Sequence, residues 1–575
     1  MSVLARLVLT SALVPSLLAR KPAPSQSAFE GLPLPPGDDV AAPAPRPLPP
    51  PPPAAIYGHV RVPSPSKLLA ELRNVVPLVQ RPALDEAVLR NVLRMQMGEK
   101  AAIADHLDLS RPMGCVVASP KRAKLPVACA VGYVGGLSAL LEDLGPEGRM
   151  SVADDHAHYQ FGSDQVFLAA MGDHVAVALA PELIADTRAQ LQREIIDAPA
   201  GGEEVVAVVH PAVIFDDARA EIDDFIAKIA TTPSVAVNPG YAELQRRQWL
   251  SYAELEHITL WADLADGGVR LGYRGTALPG TATEKAYRAG AELGLDAELM
   301  GALPADSLAV FGVAMSFASL VDDPNVAAYM DALGAAGADA AELARRSREG
   351  MLAWTELGTG HAAVALLHER GTKGAMVMAY RIKPGIDAVG KLRTLMLGIY
   401  DGPSVKSLFD LRLREGAFRA GKVRGDLYAL TPTAKAIAQP GMSAFFGKLG
   451  PDPSLQAAYV QRGDVLYLAM SAGKGADRAL RRALAVRPGA GVGARPEARA
   501  LLDAHRSDHV MLGVDVAAVA KWLVAIGAIE PPAFPMPQGL DGAQLSWRSG
   551  AERQREVEVA ASPALVQAIV QLATK

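Results

Sequence analysis

Asp154-Asp155-His156-Ala157-His158 sets two carboxylates ahead of two imidazoles that are two residues apart. On a strand, residues two apart share a face. Asp155, His156 and His158 could then ligate Zn²⁺ or Mn²⁺ and support metal-assisted hydrolysis. The same residues also suit the polar start of a strand, and no His-Glu-x-x-His segment accompanies them. His505-Arg-Ser-Asp508-His509 is a similar cluster and reads as a solvated loop.

Other short matches lack the parts their chemistry needs. Gly416-Ala-Phe-Arg-Ala-Gly421-Lys422-Val423 has P-loop spacing, but Val423 stands where a hydroxyl must hold Mg²⁺. Its flanks alternate as strands, so it reads as a hairpin loop. Ser64-Pro-Ser-Lys67 fits the S-x-x-K pattern without its partner elements, and a helix cap explains the serines. Gly441-Met-Ser443-Ala-Phe445 lacks the last glycine of a nucleophile elbow. Gly489-Ala-Gly-Val-Gly493 lacks the strand and spacing of a dinucleotide fingerprint and reads as a flexible loop. Lys121-Arg-Ala-Lys124 is a small basic cluster that solubilises a turn. No cofactor is expected.

The elements that would position these residues are short strands with period-two alternation, at 158–161, 166–168 and 175–177, and helices at 183–195, 325–350 and 563–573. Ser562-Pro563 supplies an N-cap followed by proline at the first helical position. The chain has two cysteines, Cys115 and Cys129, flanking the turn-like Ser119–Leu125. A hairpin centred on residue 122 would oppose them directly, so a disulfide is expected.

The chain has 575 residues, 50% apolar and 21% charged, which supports large buried cores. Its net charge of −5 argues against nucleic-acid binding through phosphate neutralisation. Residues 1–19 read as a signal peptide: Arg6 supplies the positive charge and Leu7 to Ala19 the apolar run. Thirteen residues are too few for a helix to span a membrane, so no span is expected after cleavage. Residues 20–54 read as a proline-rich tether, with 13 prolines among the 32 residues from Pro22 to Pro53. The protein is expected to be exported, and periplasmic or associated with the cell surface.

Four segments recur in order. Gly114–Val134 matches His361–Arg381 without a gap, and the Gly172-Asp173 region matches that of Gly463-Asp464. Val205–Val209 matches Val510–Val514, and Trp261 falls over Trp547. The fold class is therefore α+β: two similar domains, 55–300 and 301–575, each a mainly antiparallel sheet with helices on one face. The second copy opens Leu303-Pro-Ala-Asp-Ser-Leu-Ala-Val-Phe. That opening resembles uncharacterised secreted bacterial proteins with tandem α+β domains; the resemblance implies export and duplication and carries no activity. Function is expected to be non-catalytic: binding, or scaffolding of an envelope assembly. An extracytoplasmic metal-assisted hydrolase and a carrier of an apolar ligand are the alternatives. Expected partners are an envelope protein, a polysaccharide or an apolar ligand.

Overall fold

The computed structural model describes residues 55–75, 85–97, 101–121, 123, 125–161, 164–199, 201–230, 239–264, 267–289, 292–316, 321, 323–334, 338–369, 374–438, 454–527, 529–532, 536–550 and 553–573. The expected signal segment, the tether and Ser443 lie outside these residues, as does part of the Lys121–Lys124 cluster. Helix and antiparallel strand are mixed, 40% and 34%, as α+β requires. Among the described residues no helix is long and apolar enough to cross a membrane.

Two compact units are present. Of the described residues, one comprises those between 55 and 65 and between 86 and 199, the other those between 66 and 85 and between 201 and 573. The first contains β1 (Ile56–Val62), β2 (Met113–Ala118), β3 (Val127–Gly132), β4 (Arg149–Val152), β5 (His156–Phe161), β6 (Asp164–Met171) and β7 (His174–Ala178). They pair antiparallel in the order β4-β5-β6-β7-β3-β2-β1. Val116, Ala118, Ala128, Ala130, Ala176 and Ala178 are all almost fully buried. They pack against Leu183, Leu191 and Ile195 of the helical segment that follows β7. Small strand residues thus let the leucines and isoleucines of this helical segment approach closely.

The second unit contains β8 (Val205–Val209), β9 (Leu255–Asp263), β10 (Val269–Ala277), β11 (Ala309–Ala314), β12 (Gly358–Leu367), β13 (Ala375–Ile382), β14 (Phe409–Ala420), β15 (Val423–Pro432), β16 (Leu455–Arg462), β17 (Val465–Ala472), β18 (Val510–Val514), β19 (Ala543–Gly550) and β20 (Gln554–Ala561). One run of neighbours is β14-β15-β16-β17-β13-β12-β11, the order of the first unit. It continues through β18, β19 and β20 to β10, β9 and β8. The expected boundary at 300/301 is crossed by the β10–β20 ladder, eight pairs from Val269↔Ala561 to Thr276↔Gln554. Residues 200–300 therefore belong to the same compact unit as 301–575.

Register refines the segment matches. Gly172-Asp173 and Gly463-Asp464 are both two-residue turns, closed by Met171↔His174 and Arg462↔Val465, with each glycine at positive φ (65° and 63°). Glycine takes that conformation without the penalty a Cβ would bring. The gap-free match of Gly114–Val134 to His361–Arg381 is displaced, by contrast. Val117↔Val127 lies five residues from the centre of the first turn and Leu366↔Met376 five from the centre of the second, so Cys115 is level with Val364 rather than Ala362. A two-residue displacement keeps each side chain on its face, which is why alternation alone did not reveal it.

Cys115 and Cys129 are directly opposed in the β2–β3 ladder, and a disulfide joins them. Thiol titration of the unfolded, unreduced protein is expected to find no free thiol; two per chain would contradict the bond.

Candidate functional site

The pocket with the most distinct chemistry lies in the second unit, where strand pairing brings two helices together. β8 and β9 are antiparallel neighbours, with Val209 opposite Ile258. The chain leaves β8 into the Pro211–Asp217 helix, where proline occupies the first turn. It returns to β9 from the Pro239–Tyr252 helix. The start of one helix and the end of the other therefore meet at the same end of the strand pair. Pro211, Ile214 and Phe215 share one face of the first helix; Gln248, Trp249 and Tyr252 share one face of the second, by i, i+3 and i+4 spacing.

These six residues line a cavity of about 350 Å³. Phe225, on the Arg219–Ala230 helix, sets its ring edge-on to Trp249 at 5.4 Å, and Tyr252 lies 5.9 Å from the same indole. Phe225 and Tyr252 are more than a third exposed. The lining combines aromatic and aliphatic carbon with an amide and a phenol, the composition of a small-molecule seat. The sequence reading passed over these residues, although a signal was present. Phe215, Phe225, Tyr241, Trp249 and Tyr252 fall within 38 residues of a chain that is 5% aromatic.

The metal candidate is only partly brought together. The exposed Asp155 and His156 side chains pair with each other at 2.7 Å. His158 stacks on Phe167 with ring centroids 4.3 Å apart, as its register opposite Phe167 dictates. Among the described residues no three metal-ligating groups converge.

Two expected loops are packed instead. Asp508 and His509 are 3% and 4% exposed, not solvated. Gly491 meets the carbonyls of Gly301 and Leu303, and Val492 donates its N–H to Leu303. Glycine there permits close backbone approach rather than flexibility. Gly416–Val423 forms the expected hairpin, turning at Gly421-Lys422 between β14 and β15. Ser66 and Lys67 lie in the Pro65–Val75 helix, and Lys67 pairs with the buried Glu204 at 3.0 Å.

His505 Nδ1 lies 2.7 Å from Asp508, whose side chain is 5% exposed. That hydrogen bond raises the imidazole pKa above its ordinary value, against desolvation. A raised folded-state pKa gives stability that is fully present below the unfolded value of about 6.5 and is lost as pH rises through the folded value. The Tm difference between wild type and His505→Gln should therefore be large at pH 5.5 and shrink by pH 8.5. A difference independent of pH would contradict the charged pair.

Comparison with protein-family models, with curated proteins and with solved structures finds no match for this chain.

Proposed function

We propose that the chain is a non-catalytic binding protein that seats an apolar ligand between the Pro211–Asp217 and Pro239–Tyr252 helices. The observation that carries this reading is the lining itself, with Phe215, Trp249 and Tyr252 around Gln248. Aromatic walls favour apolar burial, and one amide and one hydroxyl can fix orientation. Export through residues 1–19 belongs to the proposal and rests on the charged and apolar regions of the leader.

Two similar α+β halves belong to it as well. The support is the shared strand order, the matched Gly-Asp turns and the antiparallel pairing of β10 with β20. Equivalent strands pair in that way across a twofold axis.

A neutral naphthylamine probe tests the binding reading. Wild type should bind it saturably, and Trp249→Ala should weaken binding at least tenfold. Met95→Ala, at a residue 76% exposed in the other unit, should change nothing. Equal affinity in Trp249→Ala and wild type would overturn the reading.

A further inference from the structure

We propose that Arg555 and the side chains around it form a seat for an oxyanion, the carboxylate or phosphate group of a ligand. Arg555 lies on β20, flanked across the ladders by two small residues, Gly275 on β10 and Ser549 on β19. That leaves room above the sheet for a guanidinium. The Tyr287 and Trp547 ring centroids lie 4.4 and 4.6 Å from Arg555 Cζ. Ring faces stabilise the cation but accept none of the N–H groups that lie in the guanidinium plane.

The Nε donor is unmet. Other arginines of these strands have carboxylates: Arg274 and Arg548 both reach Glu556, and Arg553 reaches Glu256. Among the described residues Arg555 makes no ion pair, and its Nε is buried without a hydrogen-bond partner. Asp323 acts on it through space from beyond ion-pair distance. Burial pushes its pKa down, as it does for a cation held away from water with no carboxylate in contact.

A second observation points to the same place. His509 is 4% exposed, and at most one of its two ring nitrogens has a partner, the Leu293 backbone. Its ring lies 6.4 Å from Trp547, edge to face, and the Trp547 Nε1 is also buried and unpartnered. At least three buried polar atoms on three neighbouring side chains thus lack partners, where buried polar groups ordinarily have them. The Tyr287 hydroxyl, which accepts from the Tyr273 O–H, adds one donor above Gly275, where a Cβ would lie 3.3 Å from it. Burial pushes both phenols up, so they stay protonated. A planar, bidentate oxyanion matches an arginine fork. Tyr252 of the apolar pocket also acts on Tyr273 and Tyr287.

The test is thermal unfolding of the full chain in phosphate, acetate or dodecanoate, against chloride at matched ionic strength. Wild type should show a saturable rise in Tm with phosphate or acetate. Arg555→Met keeps the stacked chain but removes the cation and should abolish the rise. Arg555→Lys keeps the charge but loses the fork and should retain a weakened one. Dodecanoate that binds at least tenfold more tightly than acetate and displaces the neutral probe would mark an anion with an apolar tail as the ligand. Acetate or phosphate acting alone would mark a free anion. No oxyanion effect in wild type, or an equal effect in Arg555→Met, would overturn the seat. Binding of the neutral probe does not involve Arg555, so the pocket proposal stands or falls separately.

Discussion

Replacing Gly272 with alanine is expected to destabilise the second unit by about 3 kcal/mol, the upper range for overpacking a filled site. Gly272 lies opposite Trp261 in the β9–β10 ladder, and the indole rests on its Cα. A Cβ there would overlap the indole ring atoms. Trp261 is 9% exposed, so the ring has little room to give way. Either the indole leaves its seat and exposes a large apolar surface, or the two strands separate. Trp261 covering a glycine across strands is a recognised way of stabilising a weak strand residue. Urea unfolding of Gly272→Ala should show a lower midpoint with a native-like starting spectrum. An unchanged midpoint would mean that the indole is loosely held.

Asp426→Ala is expected to cost about 3 kcal/mol, because it strands two kinds of donor at once. Asp426 is 1% exposed. Its carboxylate accepts from Arg393 Nε at 2.8 Å and Nη2 at 3.2 Å, and from the Gly416 N–H at 2.9 Å. Gly416 sits at φ 59° where the β14–β15 register shifts. The carboxylate therefore pins the irregular strand while it neutralises the arginine. Arg393 is 30% exposed and also reaches Glu415 at 2.9 Å, which sets the loss at the low end for a broken buried pair. Asp426→Asn keeps an acceptor for Gly416 and should lose less. Chemical denaturation of both variants checks the order; equal losses would mean that the charge alone matters.

Local pattern made much of this architecture readable. Alternation placed β5, β6 and β7, and the Gly-Asp turns fixed the β6–β7 and β16–β17 hairpins. Ser562-Pro563 marked the start of the Pro563–Ala573 helix, and Leu565 N–H indeed reaches Ser562 Oγ at 3.4 Å. The opposed cysteines were readable because their midpoint lay in a turn.

The missed features arise where distant segments meet. Nothing within Val269–Ala277 marks Gln554–Ala561 as its neighbour, yet the two strands share eight ladder pairs. Asp508 and His509 have polar side chains typical of a loop, but the structure buries them. Arg555, Tyr287 and Trp547 are single residues on three elements, and only tertiary structure stacks them. The aromatic pocket is likewise invisible to motif searching, because it is a surface composition rather than a spacing.

The central claim is that the cavity between the Pro211–Asp217 and Pro239–Tyr252 helices is where an apolar ligand sits. Photoaffinity labelling of the full chain with a neutral diazirine-bearing alkyl probe, followed by peptide mapping, tests it most directly. The account predicts labels concentrated at Pro211, Ile214, Phe215, Gln248, Trp249 and Tyr252, displaced by excess unlabelled probe and lost in Trp249→Ala. Labels spread over other surfaces, or confined to the first unit, would contradict it.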